Sequence, residues 1–209
     1  MNYFYNILVT GCSSGLGEAL FNETCKHDHL KSFAHYRSNL VDPYALIGDI
    51  TDDSFPDKLD EYIRSREVDC FINNAGVLEG NVIETNLVAQ IKMLQVVYKY
   101  FLEKQRGKII NINSVAGIYP SANESIYCAS KFGLKGFSQS LQLEAVGKGI
   151  EVMDVYLGGV QTRMTKDRLS YDSLMKSDDV AMQIIDLINT KSYYVNEITF
   201  RRRNESCAS

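Results

Sequence analysis

Long apolar runs are missing from this sequence. Nowhere do about 18 consecutive apolar residues occur, and the first residues form no basic leader, so we expect neither a membrane-spanning helix nor a secretory signal. An excess of positive charge is missing as well, because the formal net charge is −4, which argues against general nucleic-acid binding. We therefore expect a cytoplasmic protein that binds neither nucleic acid nor membrane.

Paired cysteines and breaks in the chain are also absent. The five cysteines are scattered, with no Cys-x-x-Cys pair and no histidine spacing suited to zinc, so we expect reduced thiols and no metal site. The three histidines are interpreted as surface or packing residues, since no nearby acid or cysteine completes a site. Only three prolines occur, and no low-complexity segment or repeat divides the chain. A single domain over residues 1–209 is predicted.

Short β-branched or aromatic runs alternate with longer stretches of helical period. This alternation predicts an α/β fold, a single doubly wound parallel sheet of about seven strands with helices on both faces. The predicted strands are Asn6–Val9, Ser32–Tyr36, Ala45–Ile47, Val68–Asn73, Lys108–Asn113, Glu151–Tyr156 and Glu197–Arg201. The predicted helices are Gly15–Lys26, Phe55–Ser65, Val82–Gln105, Ser125–Val146 and Ser177–Asn189.

A glycine-rich loop follows the first predicted strand and leads directly into a helix. Residues 10–17 read Thr-Gly-Cys-Ser-Ser-Gly-Leu-Gly. A pyrophosphate needs a tight turn, a backbone without Cβ where it approaches, and the free N–H groups of a helix N-terminus, and this loop supplies all three. The alternative is a glycine-rich turn without a ligand. The candidate cofactor-binding residues are Gly11, Cys12, Ser13, Ser14, Gly15, Leu16 and Gly17.

The end of the second predicted strand is where a dinucleotide fold reads the adenosine ribose. Arg37 stands there, in place of the acidic residue that accepts a hydrogen bond from the 2′-hydroxyl of NAD. A planar guanidinium suits a 2′-phosphate, so NADP is preferred over NAD, with a plain surface arginine as the alternative. Asp49 and Ile50 are expected to bracket the adenine, unless Asp49 simply caps a turn.

Tyr127 and Lys131 lie four residues apart in a predicted helix, so their side chains share a face. Any helix can carry such a pair, so the pair is informative only together with other motifs. A Gly-x-x-x-Gly-x-Gly loop, an Asn-Asn-Ala-Gly segment at residues 73–76 and Ser114, thirteen residues before Tyr127, accompany it here. With these motifs the chain resembles the short-chain dehydrogenase/reductase family along nearly its whole length, which implies a Rossmann-like fold.

The resemblance implies a role for each matching residue. It assigns Ser114 to hold the substrate oxygen, Tyr127 to transfer a proton, and Lys131 to assist Tyr127 and bind the nicotinamide ribose. Asn86 would anchor a water-mediated proton relay. Taken singly, Ser114 could cap a turn and Asn86 could satisfy backbone groups at a helix irregularity. The remaining implied cofactor contacts are Asn74, Ala75, Gly76, Val160 and Thr162.

The chemistry of tyrosine gives the reaction a preferred direction. Tyrosine titrates near pH 10, so acting as a base near neutrality requires its pKa to fall by about three units, or about 4 kcal/mol. Donating a proton requires no such shift. Reduction is therefore electrostatically easier than oxidation.

Three connections, at residues 37–49, 76–86 and 163–176, are shorter than is usual in the family. Lids exclude water and shape specificity, so we predict an open site with modest discrimination among carbonyl substrates. Leu157 stands where the family commonly has proline, which removes no group that the chemistry needs. The run Arg201–Arg203 is interpreted as a strand end with alternate faces solvated.

These patterns together predict an NADPH-dependent reductase of an aldehyde, ketone or oxoacyl-type substrate. The resemblance also implies a homodimer or homotetramer. One alternative is a non-catalytic nucleotide-binding or regulatory protein on the same fold. Another is a sugar-nucleotide epimerase or dehydratase, which also uses Tyr-x-x-x-Lys but needs a larger C-terminal substrate part.

Overall fold

A parallel sheet of seven strands forms the centre of the protein. The computed structural model describes residues 5–38, 42–168, 170–190 and 192–203. The strand order is β3-β2-β1-β4-β5-β6-β9, and every pairing in it is parallel. These strands are β1 Tyr5–Val9, β2 Leu30–Tyr36, β3 Leu46–Ile47, β4 Cys70–Asn73, β5 Gly107–Ser114, β6 Ile150–Leu157 and β9 Glu197–Phe200. A separate two-stranded ladder pairs β7 Val160–Gln161 with β8 Met175–Lys176.

Five α-helices cover the two faces of the sheet. They are α1 Gly15–Thr24, α2 Phe55–Ser65, α3 Ala89–Lys104, α4 Ser125–Ala145 and α5 Ser177–Ile188. Helices α2, α3 and α4 share one apolar cluster with their face of the sheet, and α1 and α5 share a second cluster on the other face. The central strands are buried on both sides, which explains why they are nearly continuous apolar runs in the sequence.

The predicted class, with seven strands and helices on both faces, is confirmed. Two details differ from the prediction. The helix predicted over 82–105 contains a π-helical turn, Glu84–Val88, before α3 begins. The ladder of β7 and β8 was not predicted, because strands of two residues leave no periodicity to read.

Within the part of the chain that the structure describes, no helix is long and apolar enough to cross a membrane. The same residues contain no group of three or more histidine, cysteine or acidic side chains arranged to hold a metal ion. Of the five cysteines, Cys207 lies outside the described residues. The other four are unpaired thiols: Cys12, Cys25, Cys70 and Cys128.

Candidate active site

A cavity of about 890 Å³ opens at the carboxyl ends of the strands. The strand order reverses between β1 and β4, and ligands of open parallel sheets bind at such a switch point. Every residue predicted for the site lines this cavity, with one exception. The exception is Cys12, whose side chain is buried in the core and whose thiol donates to the Val9 carbonyl at 3.1 Å. Only the backbone of Cys12 is therefore placed to serve a ligand.

In the glycine loop at the start of α1, backbone atoms lie so close to one another that a side chain would not fit. Gly11 has φ 75°, a left-handed conformation that favours glycine. A Cβ on Gly17 would lie 2.1 Å from the carbonyl oxygen of Gly11, so no other residue fits there. Because α1 begins at Gly15, its first N–H groups point toward the cavity end of the helix. This cradle fits the pyrophosphate of a dinucleotide.

Side chains from two neighbouring strands hold the glycine loop in place. The buried His35 ring, on β2, accepts from the Gly11 N–H at 3.2 Å and donates to the Gly48 carbonyl at 2.8 Å. Burial lowers the pKa of His35, which keeps the ring neutral and able to accept. On the other side, Asn74 donates to the Thr10 carbonyl at 2.8 Å, and the Thr10 hydroxyl accepts from the Asn74 N–H at 2.9 Å. His35 is thus the packing residue that the sequence predicts, with a specific partner.

Arg37 lines the cavity at the end of β2, and its side chain is exposed. Asp49 lies nearby and accepts from the Thr51 N–H at 2.9 Å and the Thr51 hydroxyl at 2.8 Å. These hydrogen bonds, led by the one from the Thr51 backbone and joined by the charge of Arg37, lower the pKa of Asp49. Asp49 therefore caps a turn, as the alternative reading of the sequence has it, and still faces the cavity together with Ile50.

Ser114, Tyr127 and Lys131 meet at the centre of the cavity. Burial raises the pKa of Tyr127, while a hydrogen bond with Ser114 acts in the opposite direction. Lys131 is 5% exposed, and its ammonium lies 5.9 Å from the centre of the Tyr127 ring. Burial lowers the pKa of Lys131 to about 8. The phenol is accordingly a proton donor near neutrality, with a cation next to it to balance the phenolate.

Two buried asparagines support this centre. The Asn113 side chain accepts from the Ser114 N–H at 2.8 Å and donates to the Lys131 carbonyl at 3.3 Å, which ties β5 to α4. Asn86 lies in the π-helical turn, accepts from the Val77 N–H at 2.8 Å and donates to the Val77 carbonyl at 2.6 Å. The Asn86 amide thus satisfies backbone groups at a helix irregularity, and π-helical turns are frequent at functional sites.

The rim beyond Tyr127 is formed by the segment between β7 and α5. Its Arg168 forms an ion pair with Glu124 at 2.9 Å, which links the segment to the start of α4. At its beginning, Thr162 and Thr165 form a capping box, and Thr162 is the nearest neighbour that a Cβ on Gly15 would meet, at 3.0 Å. The shortened segment therefore reaches both the glycine loop and the start of α4.

Arg201 corrects the prediction for the C-terminal arginine run. Strand β9 ends at Phe200, and Arg201 is half-buried and lines the cavity instead of lying on a solvated strand face. Its guanidinium lies 5.0 Å from the centre of the Tyr119 ring. Neither residue was singled out for the site, because a basic run at a strand end has no spacing that marks it as part of a pocket.

Comparison with known proteins was made on sequence and on structure. A family model described as short chain dehydrogenase matches residues 5–172. The 3-oxoacyl-(acyl-carrier-protein) reductase of Salmonella typhimurium is 32% identical over 184 residues, covering 76% of this chain and 75% of its own. The 3-ketodihydrosphingosine reductase of Bacteroides thetaiotaomicron is 30% identical over 191 residues, covering 84% and 71%. A closed form of serine dehydrogenase complexed with NADP+ has a TM-score of 0.83 at 23% identity, covering 98% and 97%, which shows a shared fold.

Proposed function

The chain belongs to the short-chain dehydrogenase family of NAD(P)-dependent enzymes, and from this premise we propose that it reduces a carbonyl compound to an alcohol with NADPH. The observation that carries the proposal is the half-buried phenol of Tyr127, whose pKa is raised by burial, beside Ser114 and Lys131 in one cavity. The substrate class is an aldehyde, a ketone or an oxoacyl-type compound, in keeping with the names of the reductases that the chain is similar to.

Each residue of the centre has one task in this reaction. A nicotinamide held by Lys131 and the residues at this end of the cavity would supply hydride chemistry for the carbonyl carbon. Ser114 donates a hydrogen bond to the substrate oxygen, and Tyr127 gives that oxygen its proton from Oη as negative charge develops there. Lys131 stabilises the phenolate that remains and holds the cofactor ribose. Asn86 anchors a chain of waters that returns a proton to Tyr127.

We propose NADP as the preferred cofactor because Arg37 offers a cation where the adenosine ribose is expected. Asp49 and Ile50 flank the adenine in this proposal, and the glycine loop of residues 11–17 holds the pyrophosphate. The contacts at the nicotinamide end are then Asn74, Ala75, Gly76, Val160 and Thr162, all of which line the cavity.

The proposal extends to assembly and location. Exposed apolar side chains on α4, such as Phe132 at 42% and Leu143 at 77%, support a homodimer or homotetramer that uses the long helices. The described cysteines are all unpaired, which supports a reducing compartment, the cytoplasm. We propose that the whole chain acts as one catalytic domain.

Oxidation of NADPH with a panel of aldehydes and ketones tests the proposed function. Tyr127→Phe removes the proton donor and keeps the ring, so kcat/KM is expected to fall about 10²- to 10⁴-fold while NADPH still binds. Tyr193→Phe, at an exposed position, is the matched control and should behave as wild type. Tight NADPH binding without turnover by any of the three proteins would favour a non-catalytic nucleotide-binding protein.

A further inference from the structure

Arg201 lies level with the catalytic serine at the carboxyl edge of the sheet. In the strand register, Ser114 pairs with Leu157, and Leu157 pairs with Phe200. The Gly158 N–H donates to the Phe200 carbonyl at 2.9 Å, which fixes the point where Arg201 leaves the strand. Two strand spacings separate Ser114 from this point, or about 10 Å between backbones. Arg201 is therefore within reach of a substrate whose carbonyl is held at Ser114.

The guanidinium of Arg201 lies over the Tyr119 ring, 5.0 Å from the ring centre, and both residues line the cavity. Among the described residues, no carboxylate forms an ion pair with Arg201, whereas Arg168 on the same rim is paired with Glu124. A guanidinium that lies over a ring can still direct N–H groups to another partner. Among the residues that the structure describes, Arg201 thus supplies a cation to which no carboxylate is paired.

The position of Arg201 indicates that an anion bound by it would belong to the substrate. The glycine loop and Arg37 lie at β1 and β2, on the other side of Ser114 in the strand order, and the proposed cofactor occupies that side. Phosphates of the cofactor therefore do not reach Arg201. Arg37 and Arg168 line the same cavity, so the cleft carries positive charge although the chain has a net charge of −4, and this favours a negative ligand.

We propose that Arg201, stacked on Tyr119, binds a carboxylate at the far end of the carbonyl substrate, so that the substrate class is the oxo acids. This inference rests on the proposed reductase function and names the substrate of that same site. A guanidinium fork matches the two oxygens of a carboxylate, and one arginine balances its single charge. A phosphate monoester carries nearly two charges and would require a second cation.

Matched acids and esters test the assignment. The semialdehydes of succinic, adipic and suberic acid, each beside its methyl ester, are reduced with NADPH by the wild-type protein. The acid of the best-fitting length is expected to have a kcat/KM about ten- to a hundredfold above that of its ester. This ratio is the effect expected of one charged hydrogen-bonded contact that the ester cannot make. In Arg201→Gln the advantage of that acid over its ester should shrink to less than about threefold, mainly through KM.

Variants at neighbouring arginines separate the possible outcomes. Arg203→Gln, at an exposed position outside the cavity lining, is the matched control and should keep the wild-type preference. Equal kcat/KM for acids and esters in the wild type, or an equal loss for both in Arg201→Gln, would overturn the carboxylate site while leaving the reductase proposal intact. If neither acids nor esters oxidise NADPH, the proposed function fails first, and the assignment of Arg201 fails with it.

Discussion

At the β1–β2–β4 end of the cleft, buried and half-buried polar side chains from two strands fix the glycine loop, whereas at the β6–β9 end half-buried and exposed side chains meet in isolated pairs. His35 and Asn74 fix the glycine loop through hydrogen bonds that span 24 and 64 residues of the chain. The opposite rim depends on the Arg168–Glu124 ion pair and on the stacking of Arg201. In the proposed function this difference separates two tasks, since closely packed side chains would position the cofactor and a few exchangeable contacts would select the substrate.

The largest expected effect is at the rigid end. Gly17→Ala places a Cβ 2.1 Å from the Gly11 carbonyl oxygen, and the backbone there cannot move without breaking the cradle. We expect NADPH affinity, measured by fluorescence titration, to fall at least about 100-fold, which corresponds to about 3 kcal/mol. Gly136→Ala is the control, because nothing lies within 4 Å of its added Cβ on α4. That variant should keep its affinity and gain up to about 1 kcal/mol of stability.

Lys131→Met tests the centre between the two ends. Activity should fall at least about 100-fold, yet the free energy of unfolding at pH 7 should rise by up to about 3 kcal/mol, because the wild type buries a cation whose pKa is lowered from 10.5 to about 8. Between these two values the unfolded wild type binds the extra proton, so wild-type stability increases with pH in that window. The advantage of the variant is thus full below about pH 8 and is lost as pH rises to about 10.5.

Chemical denaturation at several pH values measures this difference. The exposed Lys99 offers a control on α3, and Lys99→Met should change stability by less than about 0.5 kcal/mol at every pH. A Lys131→Met variant that is less stable than the wild type at pH 7 would contradict the reading of Lys131 as a residue kept for chemistry at the expense of stability.

Arg37→Gln should have a smaller, selective effect. Because Arg37 is exposed at the end of β2, removing its charge should act mainly on a ligand group placed beside it. We expect the preference for NADPH over NADH to fall about tenfold, because one charged hydrogen-bonded contact is lost. The affinity for NADH should stay within about twofold of the wild-type value. Titrations of both cofactors against both proteins measure this. Equal affinities for NADPH and NADH in the wild type would show that Arg37 does not read the 2′-phosphate.

Glu124→Gln should have the smallest effect and would sharpen the contrast between the two ends. Exposed ion pairs contribute about 0–1 kcal/mol and are screened by salt, so releasing Arg168 should change KM by less than about fivefold and leave thermal stability nearly unchanged. Steady-state kinetics at low and high salt measure it. Asp60→Asn removes one of the two exposed partners of Arg64, the other being Glu103, away from the cleft and should leave KM unaltered. A loss as large as that of Gly17→Ala would mean that the rim is as rigid as the cofactor end.

The same contrast explains what could be predicted from the sequence. The glycine loop can be recognised in the sequence because phosphate binding requires glycine at fixed spacing. The order of strands and helices can be predicted from the periodicity of apolar residues. Tyr127 and Lys131 can be recognised as a pair because a helix sets their spacing. These features depend on local geometry, and the structure brings them to one cavity.

The features that escaped prediction depend on contacts between distant segments. Arg201 reaches the cavity only because β9 pairs with β6, a register that the run of arginines does not reveal. Arg168 contacts Glu124 across 44 residues of sequence. The π-helical turn at Asn86 arises where the Asn86 amide bonds to Val77, and helical periodicity continues through it almost unchanged. Neither the secondary-structure propensity of residues nor the spacing of motifs indicates such pairings.

The bonds around the glycine loop also bear on how the fold is acquired. Gly11 is held by His35 of β2, and Thr10 is held by Asn74 at the end of β4, so the loop takes its shape only after both strands have paired with β1. Closing contacts over such separations is slow compared with forming a helix. Competence to bind a dinucleotide should thus appear late in refolding. A fragment that ended before β4 would contain the complete glycine motif and still lack the site.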